Sequence, residues 1–316
     1  MSLNETVETD LNVHHFEFTA TDGLNLRGEI FGERLSKNLP VFCLPGLTRN
    51  AKDFHPLAER LARDPDNPRL VLILNSRGRG TSDYDSNSAN YDILTEANDA
   101  LHALAAAGLE EAIFIGTSRG GLLTMAIAAL RPGVIAGAVL NDIGPVINAQ
   151  GLARIKTYLS KAKPVTSWDD AITYIKEANF GMFPALSEEQ WQAFAHMTFK
   201  EENGKPVRDF DIAIAKAIDA VDLSQPLPDA WPQFLAMSHA PVLVLRGEKS
   251  DILARETAKA MTKRHPDCKL IEIEGQGHAP MFLVDSLNEQ IAQELAKMDK
   301  KHAQRLARAE PESDHS

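Results

Sequence analysis

The chain has 316 residues, 44% of them hydrophobic and 24% charged, ordinary values for a folded globular protein with a large core. Its formal net charge of -11, with no concentrated stripe of Lys and Arg, argues against a nucleic-acid partner because a polyphosphate would be repelled. Two cysteines, Cys43 and Cys268, are too few for a disulfide framework at this length and read as reduced thiols.

Residues 1–10 are polar and acidic, without the positive start and apolar stretch of a secretion signal, so a cytoplasmic location is expected. No apolar run approaches the roughly 20 residues needed to cross a bilayer, which predicts no membrane span. Residues 14–19 and 24–31 flank an Asp22-Gly23 turn and predict an antiparallel hairpin at a sheet edge. Short β-branched runs follow at 41–44, 70–75, 112–115, 135–140, 242–246 and 269–273, each apolar enough to be buried on both faces. Helical patterns at 91–107, 120–130 and 255–265 lie between them. The alternation predicts an α/β fold with a mostly parallel central sheet and helices on both faces.

Residues 146–231 break that alternation: they carry helical patterns and turns but no convincing buried strand. They are expected to form a helical cap inserted into a core domain made of residues 1–145 and 232–300. Ser187-Glu188-Glu189-Gln190 has the spacing of a capping box, and Asn203-Gly204 marks a loop before the next helical run. All three tryptophans, Trp168, Trp191 and Trp231, fall in this segment or at its end. Taken singly, each aromatic side chain there reads first as part of the cap's own core. Taken together, Trp168, Phe180, Phe183 and Trp191 are candidates for an apolar lid over a small-molecule site. Residues 301–316 are expected to form a C-terminal tail, basic and helical to residue 309 and polar beyond it.

The chemistry centres on Gly116-Thr117-Ser118-Arg119-Gly120, a G-x-S-x-G pattern set between a predicted strand and a predicted buried helix. So sharp a strand-to-helix turn strains the central residue, and small neighbours are needed where the chains approach; Gly116, Gly120 and Gly121 supply them. A serine hydroxyl is a weak nucleophile at neutral pH and needs a base. Of ten histidines, His278 in Gly275-Gln276-Gly277-His278 follows the last predicted strand, where a loop can present it over the sheet's carboxyl edge. A carboxylate must then orient the imidazole. Asp251, just beyond the strand at 242–246, is the first choice; Asp142, after the strand at 135–140, and Glu248 are the alternatives. Backbone N–H groups of Leu47, in the loop after the strand at 41–44, and of Arg119 are placed to bind an oxyanion. Arg49, Arg79 and Arg119 could bring positive charge to the pocket and favour an anionic substrate.

These features, with the stretch Asn75-Ser76-Arg77-Gly78-Arg79-Gly80-Thr81-Ser82-Asp83, resemble the α/β-hydrolase superfamily over nearly the whole chain. Within it the likeness is to bacterial serine esterases and to lactone or carbon–carbon bond hydrolases with a helical cap. The resemblance implies a triad of Ser118, His278 and Asp251, with Leu47 and Arg119 as oxyanion donors. It further implies a small-molecule ester as substrate, an acyl-enzyme on Ser118, and no metal or organic cofactor. Aspartate at the elbow would mark epoxide hydrolases and haloalkane dehalogenases, and serine disfavours those activities. Pro45-Gly46 departs from the His-Gly common among relatives, and the multi-glycine oxyanion loop of another esterase branch is absent from the sequence. Lactone or carbon–carbon bond cleavage by the same triad is the alternative, and a non-catalytic ligand-binding protein on the same fold is a third.

Overall fold

The computed structural model describes residues 13–34, 36–160, 164–219, 221–225 and 227–309. The polar segment at 1–10 and the last residues of the expected tail, 310–316, lie outside them.

Eight strands form one sheet in the order β1-β2-β4-β3-β5-β6-β9-β10. The hairpin β1 (His14–Thr19) and β2 (Asn25–Phe31) is antiparallel and sits at one edge, with Phe18 opposite Leu26 and Thr19 opposite Asn25. β2 runs antiparallel to β4 (Val71–Asn75). The remaining strands are parallel: β3 (Val41–Leu44), β5 (Ala112–Thr117), β6 (Ile135–Asn141), β9 (Val242–Gly247) and β10 (Cys268–Ile273). β3, β4, β6 and β9 are buried along their full length, as expected of strands covered on both faces. β10 is different. It closes the far edge, with a strand neighbour on one side only, and Lys269 and Glu272 are exposed, so the expectation of burial on both faces fails there.

Helices flank both faces. α1 (His55–Ala62) and α10 (Asp285–Ala309) pack on one through Leu57, Leu61, Leu287, Ile291 and Leu295. α2 (Ile93–Ala106), α3 (Arg119–Leu130) and α9 (Arg255–Arg264) cover the other through Ala97, Leu104, Leu123, Ile127 and Met261. α10 runs on to Ala309, in line with the helical pattern read there, and within its last turns His302 is buried with Nε2 2.9 Å from Glu111 Oε1.

Between β6 and β9 the chain forms α4 (Ala149–Ser160), α5 (Trp168–Asn179), α6 (Glu188–Thr198), α7 (Ala213–Asp219) and α8 (Trp231–Leu235). The capping box forms at the start of α6: Ser187 Oγ accepts from the Gln190 N–H, and the Gln190 side chain accepts from the Ser187 N–H. Asn203-Gly204 does not lead into a helix. It turns a two-stranded hairpin, β7 (Phe199–Glu202) against β8 (Lys205–Arg208), with both turn residues at positive φ, 52° and 75°. That pair of conformations is what an Asn-Gly hairpin turn requires. The segment has a small core of its own around Ala171, Ile175, Phe183, Trp191, Ala195 and Phe199. Its two ends meet, since the Ala230 N–H donates to the Pro145 carbonyl at 2.7 Å.

Candidate active site

Ser118 occupies the junction between β5 and α3 with φ 52° and ψ -113°, a conformation that costs a non-glycine residue on the order of 1–3 kcal/mol. The surrounding structure enforces it. A Cβ at Gly116 would come within 2.5 Å of the Gly120 backbone, and one at Gly120 would strike the Leu44 carbonyl. The Ser118 N–H is held by the Asn141 carbonyl at 3.0 Å, which ties the turn to the end of β6. Ser118 stands at the N-cap of α3 without a side-chain cap bond; its carbonyl accepts from the Gly121 N–H at 2.9 Å and the Leu122 N–H at 3.2 Å, so its hydroxyl is not engaged by the helix. Among the described residues, the N–H groups of Leu47 and Arg119 donate to no protein acceptor.

His278 reaches the serine from the loop after β10, its Nε2 2.8 Å from Ser118 Oγ. Three contacts hold that loop. The Asn141 side chain donates to the Pro280 carbonyl at 2.9 Å, the Lys249 N–H donates to the Gln276 carbonyl at 2.9 Å, and the Met281 N–H donates to Gln276 Oε1 at 2.7 Å. On the far side of the ring, Nδ1 lies 2.8 Å from Asp142 Oδ2. A carboxylate can only accept, so the ring proton sits on Nδ1 and Nε2 is left to accept from Ser118.

The expectation for the acid is therefore corrected. Asp251 does not touch His278; Arg154 of α4 takes it in a two-point pair at 2.5 and 3.0 Å. Burial raises its carboxyl, but the Arg154 hydrogen bond and charge outweigh that and hold it below the usual carboxylate range. Asp142, the rival, is fully buried at the end of β6 with φ 58°. Its Oδ1 accepts from the Gly247 N–H at 2.8 Å, and its Oδ2 accepts from Ser250 Oγ at 2.5 Å as well as from His278. Glu248 points elsewhere, accepting from the Gly275 N–H at 2.9 Å.

A family model described as the alpha/beta hydrolase family matches residues 41–294. The chain belongs to the alpha/beta hydrolase family. Curated relatives of this α/β-hydrolase include a 3-hydroxybutyrate-oligomer hydrolase of Cupriavidus necator, 29% identical over 77% of this chain and 83% of the relative. An sn-1-specific diacylglycerol lipase of Danio rerio is 24% identical over 81% of this chain and 77% of the relative. Among solved structures, an alpha/beta hydrolase from Novosphingobium aromaticivorans superposes with a TM-score of 0.82 at 37% identity, covering 90% of this chain and 98% of that one.

In this α/β-hydrolase, Ser118 and His278 open into a cavity of about 180 Å³ between the sheet's carboxyl edge and the inserted segment. Leu47 and Thr48 line it from the β3 loop; Ile155, Leu159, Ile175, Phe183, Phe194 and Met197 line it from the insert. Of the four aromatic candidates only Phe183 is among these. Trp191 is fully buried in the insert's own core, Trp168 stacks on His196 at 3.9 Å between ring centroids, and Phe180 is 52% exposed. The aliphatic and Met side chains that do line the cavity carry no compositional mark in the sequence; the helical spacing of Ile155 and Leu159 was their one signal.

The expectation of net positive charge is also revised. Arg49 lines the cavity but is paired with Asp53 at 2.5 and 2.8 Å and also donates to Thr198. Arg79 and Arg119 both pair with Glu96. Each cation is thus already engaged by a carboxylate. Among the described residues no group of three or more His, Cys, Asp or Glu side chains could hold a metal ion, and no helix is long and apolar enough to cross a membrane.

Proposed function

We propose that this protein is a serine hydrolase that cleaves carboxylic esters of small molecules through an acyl-enzyme on Ser118. The observation that carries the reading is the unbroken relay from Ser118 Oγ to His278 Nε2 and from His278 Nδ1 to Asp142, 2.8 Å at each step, opening into one cavity. In the first half-reaction His278 takes the serine proton as Oγ bonds to the ester carbonyl carbon. The imidazolium is stabilised by Asp142, and the N–H groups of Leu47 and Arg119 bind the oxyanion. His278 then returns the proton to the departing alkoxide. In the second half-reaction His278 deprotonates water, which attacks the acyl carbon and releases the acid with Ser118 restored.

The insert serves as the cap. Its apolar side chains, with the cavity's arginines already paired, select by shape and apolar contact rather than by net charge. Ester cleavage agrees with a relative that acts on 3-hydroxybutyrate oligomers and another that is a diacylglycerol lipase.

The test is Ser118→Ala against p-nitrophenyl esters of graded chain length, run beside lactones and vinylogous diketones. The variant is expected to keep its fold and to lose kcat by a factor on the order of 10⁶. Turnover near the wild-type value would remove Ser118 as nucleophile. Preference for the lactones or diketones over every ester would move the reaction to that branch.

A further inference from the structure

Glu96 lies on α2, outside the cavity, and its side chain is 1% exposed. Three N–H groups converge on it. Arg119 donates from Nε to Oε2 and from Nη2 to Oε1, both at 2.9 Å, and Arg79 donates from Nη1 to Oε1 at 2.8 Å. Burial lifts the Glu96 carboxyl, yet the two guanidinium groups more than offset this and hold it below its ordinary value. A buried ion cluster of this kind is a poor source of stability, because desolvating three charges cancels much of their attraction. What distinguishes this one is where its two arms end.

The first arm is Arg119 itself, the residue after Ser118, whose Nη2 also donates to the Tyr91 carbonyl at 3.0 Å. Its guanidinium is thereby held through Nε and Nη2, and its own peptide begins α3. The second arm is Arg79, fully buried, whose Nε donates to the Leu47 carbonyl at 2.8 Å. Arg79 thus holds the β3 loop at Leu47, a residue that lines the cavity and whose N–H donates to no protein acceptor among the described residues. One carboxylate is therefore linked, through two arginines, to the segments that follow β3 and β5.

We propose that Glu96 is a positioning residue for the oxyanion hole: through Arg79 and Arg119 it sets the separation of the Leu47 and Arg119 N–H groups so that both aim at one oxygen. The proposal rests on the reading of those two amides as the oxyanion donors. Two donors help only if both are in place before charge develops, and a misplacement of about 1 Å can cost 10²-fold in rate. Such a defect is felt in the transition state and not in ester binding, which separates it from damage to the cavity.

The experiment uses the full chain with p-nitrophenyl butyrate as substrate and butane-1-boronic acid as probe. The boronic acid takes Ser118 Oγ onto boron as His278 takes the proton, giving a tetrahedral anion with an oxygen in the hole. For Glu96→Gln, kcat is expected to fall by about 10- to 100-fold with KM within about twofold, and the boronic acid to weaken by a similar factor. A folded Glu96→Gln variant with kcat within about threefold of wild type, or one that loses kcat while binding the boronic acid as before, would overturn the proposal. If that variant does not fold, Arg119→Lys keeps the charge, breaks the two-point grip, and carries the same criteria. Wild-type protein that neither turns over the ester nor binds the boronic acid would remove the oxyanion reading itself, and the role of Glu96 with it. Normal wild-type behaviour with an indifferent Glu96→Gln removes the role alone.

Discussion

The loops that leave β6 and β9 each present an aspartate, and only the one after β6 is turned toward His278. Asp142 follows its strand directly, in a left-handed conformation that swings the carboxylate inward, where it accepts from the Gly247 N–H, Ser250 Oγ and His278. Asp251 lies four residues beyond Gly247, at the far side of its loop, and is drawn outward by Arg154 of the insert. Both loops nevertheless reach the same imidazole, because the β9 loop supplies an amide and a hydroxyl to Asp142, which bonds it. Position after a strand is thus a weaker guide to a triad acid than the direction in which the backbone leaves that strand.

Substitutions sharpen this contrast. Asp142→Asn is expected to lower kcat by about 10⁴-fold, since the amide would favour the wrong ring tautomer and leave the imidazolium without its counter-charge. Asp251→Asn should change kcat by less than about tenfold, because that carboxylate touches neither reacting group. Steady-state kinetics of the pair decides the matter, and a larger loss at Asp251 would reverse the assignment. Ser250→Ala removes one hydrogen bond to the buried Asp142 carboxylate and should cost roughly tenfold in kcat. An unchanged rate would show that the amide of Gly247 suffices.

The smallest effect concerns stability. Asp251 is held below its unfolded value, so its contribution is present at neutral pH and is lost as pH falls through the folded value. In urea unfolding, the gap between wild type and Asp251→Asn should therefore shrink below about pH 4. A gap that widens on acidification would mean that the pairing with Arg154 does not stabilise the fold.

The fold was legible because its signals are local. Parallel strands covered on both faces must be apolar runs, and the elbow must be small where β3 and α3 meet it, so Gly116 and Gly120 mark it in the chain. The identity of the acid is not local. It depends on the sign of one backbone angle at Asp142 and on Arg154, 97 residues from Asp251 in sequence, which claims the competing carboxylate. The β7–β8 hairpin hid for another reason: Asn203-Gly204 has the turn chemistry, but Lys200, Glu201, Glu202 and Lys205 around it supply no apolar alternation. Trp191 was conspicuous by size, yet size says only that a side chain needs covering, and the insert's own core covers it.

Thr117 and Asn141 are partners at the end of the β5–β6 ladder, and Ser118 and Asp142 are the residues that follow each strand. The offset between Ser118 and Asp142 is accordingly dictated by the repeat of the sheet, about 4.8 Å between neighbouring strands, and is as stiff as the sheet. His278 alone arrives on a connector. Tuning by evolution or by a protein engineer is thereby channelled into the length and tethers of that connector, which can shift the imidazole while the other two groups stay in register.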